Sequence, residues 1–204
     1  GAVRYNNGAE KGARQGYASR FSHERETASP GYYSVRLDDY KIDVELTATK
    51  RTGMHRYAFP EGPQANVILD LVHRDRVQDA SLRIVDNHTI QGHRVSKSWA
   101  DSQHVYFYAE FSKPFTQVQI QNNGKEISGK EATGKAIKAA FQFNTESTQE
   151  VLLKVGISGV DIQGARKNLK AENPDWDFGK IRQNAKAAWE EELSKIEVEG
   201  GTKA

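Results

Sequence analysis

The sequence predicts a mainly β fold, an antiparallel β-sandwich followed by C-terminal helices, on three observations. Apolar residues alternate with polar ones at period two from Tyr33 onward, the pattern of a strand with one buried and one wet face. Short runs of this kind recur at close spacing with turn residues between them, which is how a sandwich or barrel reads. From Asp177 the period changes to three and four residues, so a helix closes the chain.

The elements follow in order. Residues 1–20 hold four glycines and little that is apolar beyond Val3, Tyr5 and Tyr17, and read as a flexible lead-in. Phe21 to Pro60 opens with a polar, capping-rich segment and turns at Pro30-Gly31. Tyr33, Val35 and Leu37 then make one run, Ile42, Val44 and Leu46 a second, and Met54 to Phe59 a third. Asp38-Asp39 and Arg51-Thr52-Gly53 supply the turns, which makes this stretch an antiparallel meander. Further strands are expected over Ala65–Val72, Ala80–Val85, Thr89–Val95, His104–Phe111, Phe115–Gln121, Lys135–Phe143 and Glu150–Ile157, with a hairpin at Asp86-Asn87. Asp161–Glu172 reads as a short helix stopped by Asn173-Pro174. In the last helix, capped by Asp177, the apolar stripe runs through Phe178, Ile181, Ala185, Trp189, Leu193 and Ile196, and Gly200-Gly201 is its expected end.

Composition narrows the function. A chain of 204 residues can bury a core, and a mean hydropathy of −0.75 suits strands that spend half their side chains on solvent. With 29 Lys+Arg against 27 Asp+Glu, and no basic, aromatic-rich face, no nucleic-acid partner is expected. The absence of cysteine removes disulfides, thiolate zinc sites and thiol nucleophiles. No apolar run approaches a membrane span. The start has neither Met nor the apolar core of a signal peptide, and the chain reads as a piece of something longer.

Motif by motif, little chemistry stands out. Residues 124–130 and 129–135 match phosphate-loop spacing, but Glu131 and Ala136 stand where a magnesium-binding hydroxyl belongs, so both read as polar hairpin loops. The six histidines show no metal-ligand spacing. Glu190-Glu191-Glu192 reads as a solvated helix face. Trp99, Tyr106 and Tyr108 are weighed as a sugar-stacking face against ordinary packing. One polar cluster is kept as a candidate: Ser22, His23, Glu24 and Glu26, on a loop leading into the sandwich. Its plainer reading is a backbone-capping segment.

The stretch FSHERETASPGYYSVRLDDYKIDVELTATKRTGMHRYAFP resembles the N-terminal domain signature of glycoside hydrolase family 92, exo-acting α-mannosidases that use calcium. IQGHRVSKSWADSQHVYFYAEFSKPF, VLLKVGISGVDIQGARKNLKAENPDWDF and KIRQNAKAAWEEELSKIEVEG resemble it too, in the family's order. The resemblance implies a sandwich of the large supersandwich type over residues 21–160, with 161–204 a helical linker towards an absent α/α-barrel catalytic domain. It implies hydrolysis of α-mannosidic bonds with inversion, by an acid and a base flanking the sugar. The family's acid, base and calcium ligands lie in the barrel, so no catalytic residue or metal ligand is carried onto this chain, and none is expected here.

The expectation is thus a non-catalytic half of a mannosidase, periplasmic or secreted, inactive alone. Its partners are the barrel of its own protein and, through that protein, mannose-containing glycans. Ser22, His23, Glu24 and Glu26 are expected near the sugar pocket or domain interface, and Phe178, Ile181, Trp189 and Leu193 to pack the linker helix. The alternative is an autonomous carbohydrate-binding sandwich, which has little use for such an apolar helical stripe.

Overall fold

The structure, a computed structural model, describes residues 16–200. A 3-10 turn at His23–Arg25 leads into a further strand, β1 (Glu26–Ser29), and strands β2 (Tyr32–Leu37), β3 (Ile42–Ala48) and β4 (Thr52–Ala58) then form the expected meander. They are followed by β5 (Ala65–Asp70), β6 (Arg76–Ile84), β7 (Thr89–Lys97), β8 (Gln103–Phe111), β9 (Gln117–Asn122), β10 (Lys125–Ile127), β11 (Glu131–Gly134), β12 (Ile137–Phe143) and β13 (Glu150–Ser158). Helices α1 (Ile162–Glu172) and α2 (Phe178–Leu193) close the described chain.

Every strand pairing is antiparallel. Among the described residues one sheet has nine strands in the order β1-β2-β3-β4-β13-β8-β7-β6-β11, and the other has four, β10-β9-β12-β5. Between them lies the main core, where Leu82, Phe107, Phe111 and Leu153 of the large sheet meet Ile120, Phe141 and Phe143 of the small one. The rings of Phe111 and Phe143 are 5.2 Å apart, and those of Phe115 and Phe141 5.3 Å. Gly92 on β7 gives up its side chain here, because a Cβ would stand 2.0 Å from the Ser81 carbonyl oxygen and 2.8 Å from the Phe107 ring.

The other face of the large sheet carries the helices. Met54 and Leu152 pack with Phe178 and Ile181, and Tyr108 packs with Ala165 and Leu169. Helix α1 lies against β13 at Gly156, where a Cβ would approach the Ala165 carbonyl oxygen to 2.3 Å. Asp161 and Asp177 cap the two helices, accepting from the backbone N–H of Gly164 and Lys180 at 2.5 and 2.9 Å. Lys154 of β13 is 3% exposed at its side chain. Its ammonium donates to the Pro174 carbonyl at 3.0 Å, pairs with Glu110 at 3.4 Å and sits 4.2 Å over the Trp176 ring. That buried charge pins the α1–α2 turn to the sheet.

Four expectations need correcting. The lead-in read over residues 1–20 falls outside the described residues up to position 15. Beyond it the chain is tied down: Tyr17 donates to Asp70 at 2.7 Å and Arg20 pairs with Asp39 at 2.7 Å. The capping-rich segment after Phe21 continues into a strand, β1, whose polar ETAS sequence hid it because an edge strand buries little. The loops read over 124–135 contain the short strands β10 and β11. Helix α2 ends at Leu193 with Ser194 as its cap, short of Gly200. Past Ala185 its stripe no longer has sheet beneath it, and packing supplies most of a helix's stability.

The mismatch in sheet size leaves a cleft of about 1410 Å³. Among the described residues the small sheet ends at β5, while the large sheet runs on through β4 to β1. Ile42, Val44 and Tyr57 form one wall, β5 residues Ala65–Ile68 another, and Gly16–Arg20 a third.

Candidate functional site

The candidate loop folds around a carboxylate. Ser22 caps the 3-10 turn, its Oγ accepting from the Glu24 N–H at 3.3 Å while its carbonyl accepts from Arg25 N–H at 2.9 Å. The turn brings His23 Nδ1 to 2.6 Å from Glu26 Oε2. Register on the β1–β2 hairpin, with Glu26 opposite Val35, lets Tyr33 donate its hydroxyl to Glu26 Oε1 at 2.6 Å. Phe21 meets the His23 ring edge-on at 5.5 Å, and Arg25 donates to Asp38 at 2.8 Å. The His23 side chain remains 89% exposed.

This geometry sets the chemistry. The Tyr33 hydroxyl first, then His23, stabilise the ionised Glu26 and hold its carboxyl below the ordinary glutamate range. A glycosidase's proton donor needs the opposite shift. Glu26 is therefore an acceptor that fixes the His23 ring, and the exposed ring with Phe21 is what the loop presents. Of the four sequence candidates, His23 and Glu26 come together. Ser22 serves the backbone, and no side-chain contact joins Glu24 to the pair. Tyr33 and Phe21 were missed. Tyr33 belongs to the alternating apolar set, and only the register of the unforeseen β1 reveals its partner.

Helix α2 divides in two. Phe178 and Ile181 are buried on the sheet, with the Arg56 guanidinium 4.7 Å over the Phe178 ring. Ala185 reaches the Pro30-Gly31 turn, where Gly31 has φ +78 and a Cβ would stand 2.9 Å from the Ala185 Cβ. Beyond that contact Trp189 is 51% and Leu193 55% exposed, although they continue the same stripe. The free half of α2 and the His23 loop thus flank the β1–β2 edge of the large sheet, one at each end of the hairpin.

The remaining candidates separate. Trp99 is fully exposed on the β7–β8 loop, Tyr106 stacks with His104 and contacts His93, and Tyr108 is buried under α1 with Arg166 above it. With Tyr108 covered by α1, those three aromatics do not make one exposed stacking face. Asp38 and Asp39 are ion-paired with Arg25 and Arg20. Glu190 and Glu192 pair with Lys186 and Lys195 on the solvated face of the helical tail. Among the described residues no group of three or more His, Asp or Glu is gathered to hold a metal ion, and no helix is long and apolar enough to cross a membrane.

Comparison with known proteins bears on the whole chain. Residues 1–158 match the model described as the glycosyl hydrolase family 92 N-terminal domain, and residues 164–204 that of the family 92 catalytic domain. A family GH92 alpha-mannosidase from Bacteroides thetaiotaomicron is 36% identical at a TM-score of 0.91, over 98% of this chain and 28% of that one. A structure of that mannosidase holds mannoimidazole. A family GH92 inverting mannosidase from Bacteroides thetaiotaomicron VPI-5482 is 25% identical at a TM-score of 0.80, over 90% of this chain and 25% of that one. An uncharacterized secreted glycosidase of Arthroderma benhamiae is 26% identical over 85% of this chain and 26% of its own length. The chain spans about a quarter of the length of these relatives.

Proposed function

The chain belongs to glycosyl hydrolase family 92, and we propose that it is the non-catalytic part of an exo-α-mannosidase, scaffolding the catalytic barrel and shaping its sugar pocket. The observation that carries the reading is the divided stripe of α2. One half is buried on the sandwich and the other is exposed, within residues that match the catalytic-domain model. Such a helix is built to join two bodies. On this reading the exposed His23–Phe21 edge, at the other end of the β1–β2 hairpin, reaches the pocket that the two parts form.

Hydrolysis in the longer protein proceeds with inversion, an acid protonating the leaving oxygen while a base activates water on the far face. Glu26 has the wrong shift for the acid, Asp161 and Asp177 cap helices, and Asp38, Asp39, Glu110, Glu190 and Glu192 are held in ion pairs. We assign the acid, the base and the calcium to the remainder of the protein. Among the described residues no group of His, Asp or Glu fits the ion. A periplasmic or secreted location is proposed with it, supported by the secreted relative.

The test uses the complete protein and an aryl-α-mannoside. Hydrolysis is expected, and His23→Ala should lower kcat/KM about tenfold, the order of one lost positioning contact, with thermal unfolding unchanged. No hydrolysis of α-mannosides would overturn the function. Unaltered kinetics in His23→Ala would remove the loop from the pocket.

A further inference from the structure

Helix α2 is gripped by the sheet at two points that share one carboxylate. On β3, Glu45 stands directly opposite Arg56 of β4 and one diagonal step from Tyr32 of β2, which faces Thr47. Tyr32 donates its hydroxyl to Glu45 Oε1 at 2.7 Å, and Arg56 Nε donates to Glu45 Oε2 at 2.5 Å. The Arg56 guanidinium lies 4.7 Å over the Phe178 ring, and the Arg182 guanidinium lies 3.5 Å over the Tyr32 ring. Phe178 and Arg182 are one helical turn apart, so they share one face of α2. Among the described residues Arg182 makes no ion pair, and its charge rests on the Tyr32 ring. A phenol that donates to a carboxylate presents a more electron-rich ring, which strengthens that hold.

We propose that Arg182, Tyr32, Glu45, Arg56 and Phe178 form a clamp that sets the direction in which α2 leaves the sandwich, and that Arg182 is thereby a positioning residue for hydrolysis. The proposal deepens the function proposed above and rests on it. Ile181 and Ala185 press the helix onto the sheet, but hydrophobic contact is non-directional. Hydrogen bonds and cation–ring contacts fix an angle as well as a distance. At the usual helical rise Arg182 lies about 6 Å and Leu193 about 22 Å from Phe178, so play at Arg182 is magnified about fourfold at Leu193. Trp189 and Leu193 stand in the exposed half of α2, within residues that match the catalytic-domain model. Misplacing one part of an active site by about 1 Å is enough to slow the reaction by up to about a hundredfold. Arg182 therefore acts on the reaction through the angle of the helix and touches no reacting atom.

The test uses the complete protein, whose hydrolysis of an aryl-α-mannoside checks the underlying function separately. Arg182→Gln should lower kcat about fivefold to tenfold, with KM within about twofold and the thermal midpoint unchanged, as a loss of positioning requires. Arg182→Lys keeps a cation over the ring and should restore most of the rate. Glu45→Gln combined with Arg182→Gln should cost no more than the larger single change, because both break one chain. Spin labels carried by unnatural residues at the exposed positions Thr27 and Glu191 read the angle of α2 without any activity. Their separation should be narrowly distributed in the unaltered protein, broad in Arg182→Gln and narrow again in Arg182→Lys. An unchanged kcat in Arg182→Gln, or a rate in Arg182→Lys no better than that, would overturn the proposal. So would strictly additive effects of the two changes, or a separation that Arg182→Gln leaves narrow.

Discussion

His55 is partly buried on β4, its Nδ1 2.7 Å from the Tyr57 hydroxyl. Burial pushes its pKa down from 6.5 to about 4 and raises that of Tyr57. Between those two pH values the unfolded chain binds a proton that the folded chain refuses. Stability is therefore full above pH 6.5 and falls as the pH drops towards 4, by about 3 kcal/mol from this group. Urea unfolding across that range should show the loss, and His55→Gln should flatten the profile. An identical slope in the variant would assign the loss to other groups. The residues of the candidate loop were only half legible. Ser22, His23 and Glu26 stand close enough in sequence to suggest a cluster. What Glu26 does depends on Tyr33, seven residues on and brought back by a hairpin, and no local pattern states that register.

Helix α2 shows the same limit one level up. Its stripe was plain in the spacing of Phe178, Ile181, Ala185, Trp189 and Leu193, and Asp177 marked its start. Where the sheet beneath it runs out was not, because that depends on the Gly31 turn coming to rest at Ala185. The two halves should respond differently to truncation. Phe178→Ala should destabilise the sandwich by about 3–5 kcal/mol, the usual cost of emptying a buried phenylalanine site. Trp189→Ala should change the stability of residues 1–204 by no more than about 0.5 kcal/mol, yet lower the thermal midpoint of the complete protein by several degrees. Denaturant melts of both lengths check this. Equal effects of Trp189→Ala on both would show that the helix end packs on nothing further.

At the scale of the molecule, the sandwich was legible because β2 and β3 keep strict alternation and the turns between the runs carry their own chemistry. The strands that escaped notice are the short ones. β1, β10 and β11 bury few side chains, so hydrogen bonding rather than a hydrophobic pattern defines them. The unequal widths of the two sheets were not legible at all, since pairing order is set by contacts far apart in sequence, such as β13 inserted between β4 and β8. That insertion carries the chain from the sandwich directly into α1, and so ties the helical tail to the centre of the large sheet. On the proposed function, residues 1–204 are necessary to hydrolysis but are not its chemical machinery. The most direct measurement is complementation: residues 1–204 and the remaining polypeptide, produced separately and together, assayed on an aryl-α-mannoside with calcium present. Neither part alone should hydrolyse it, and the co-produced pair should. Hydrolysis by residues 1–204 alone would contradict their non-catalytic role, and full activity of the remainder alone would contradict their role as its scaffold.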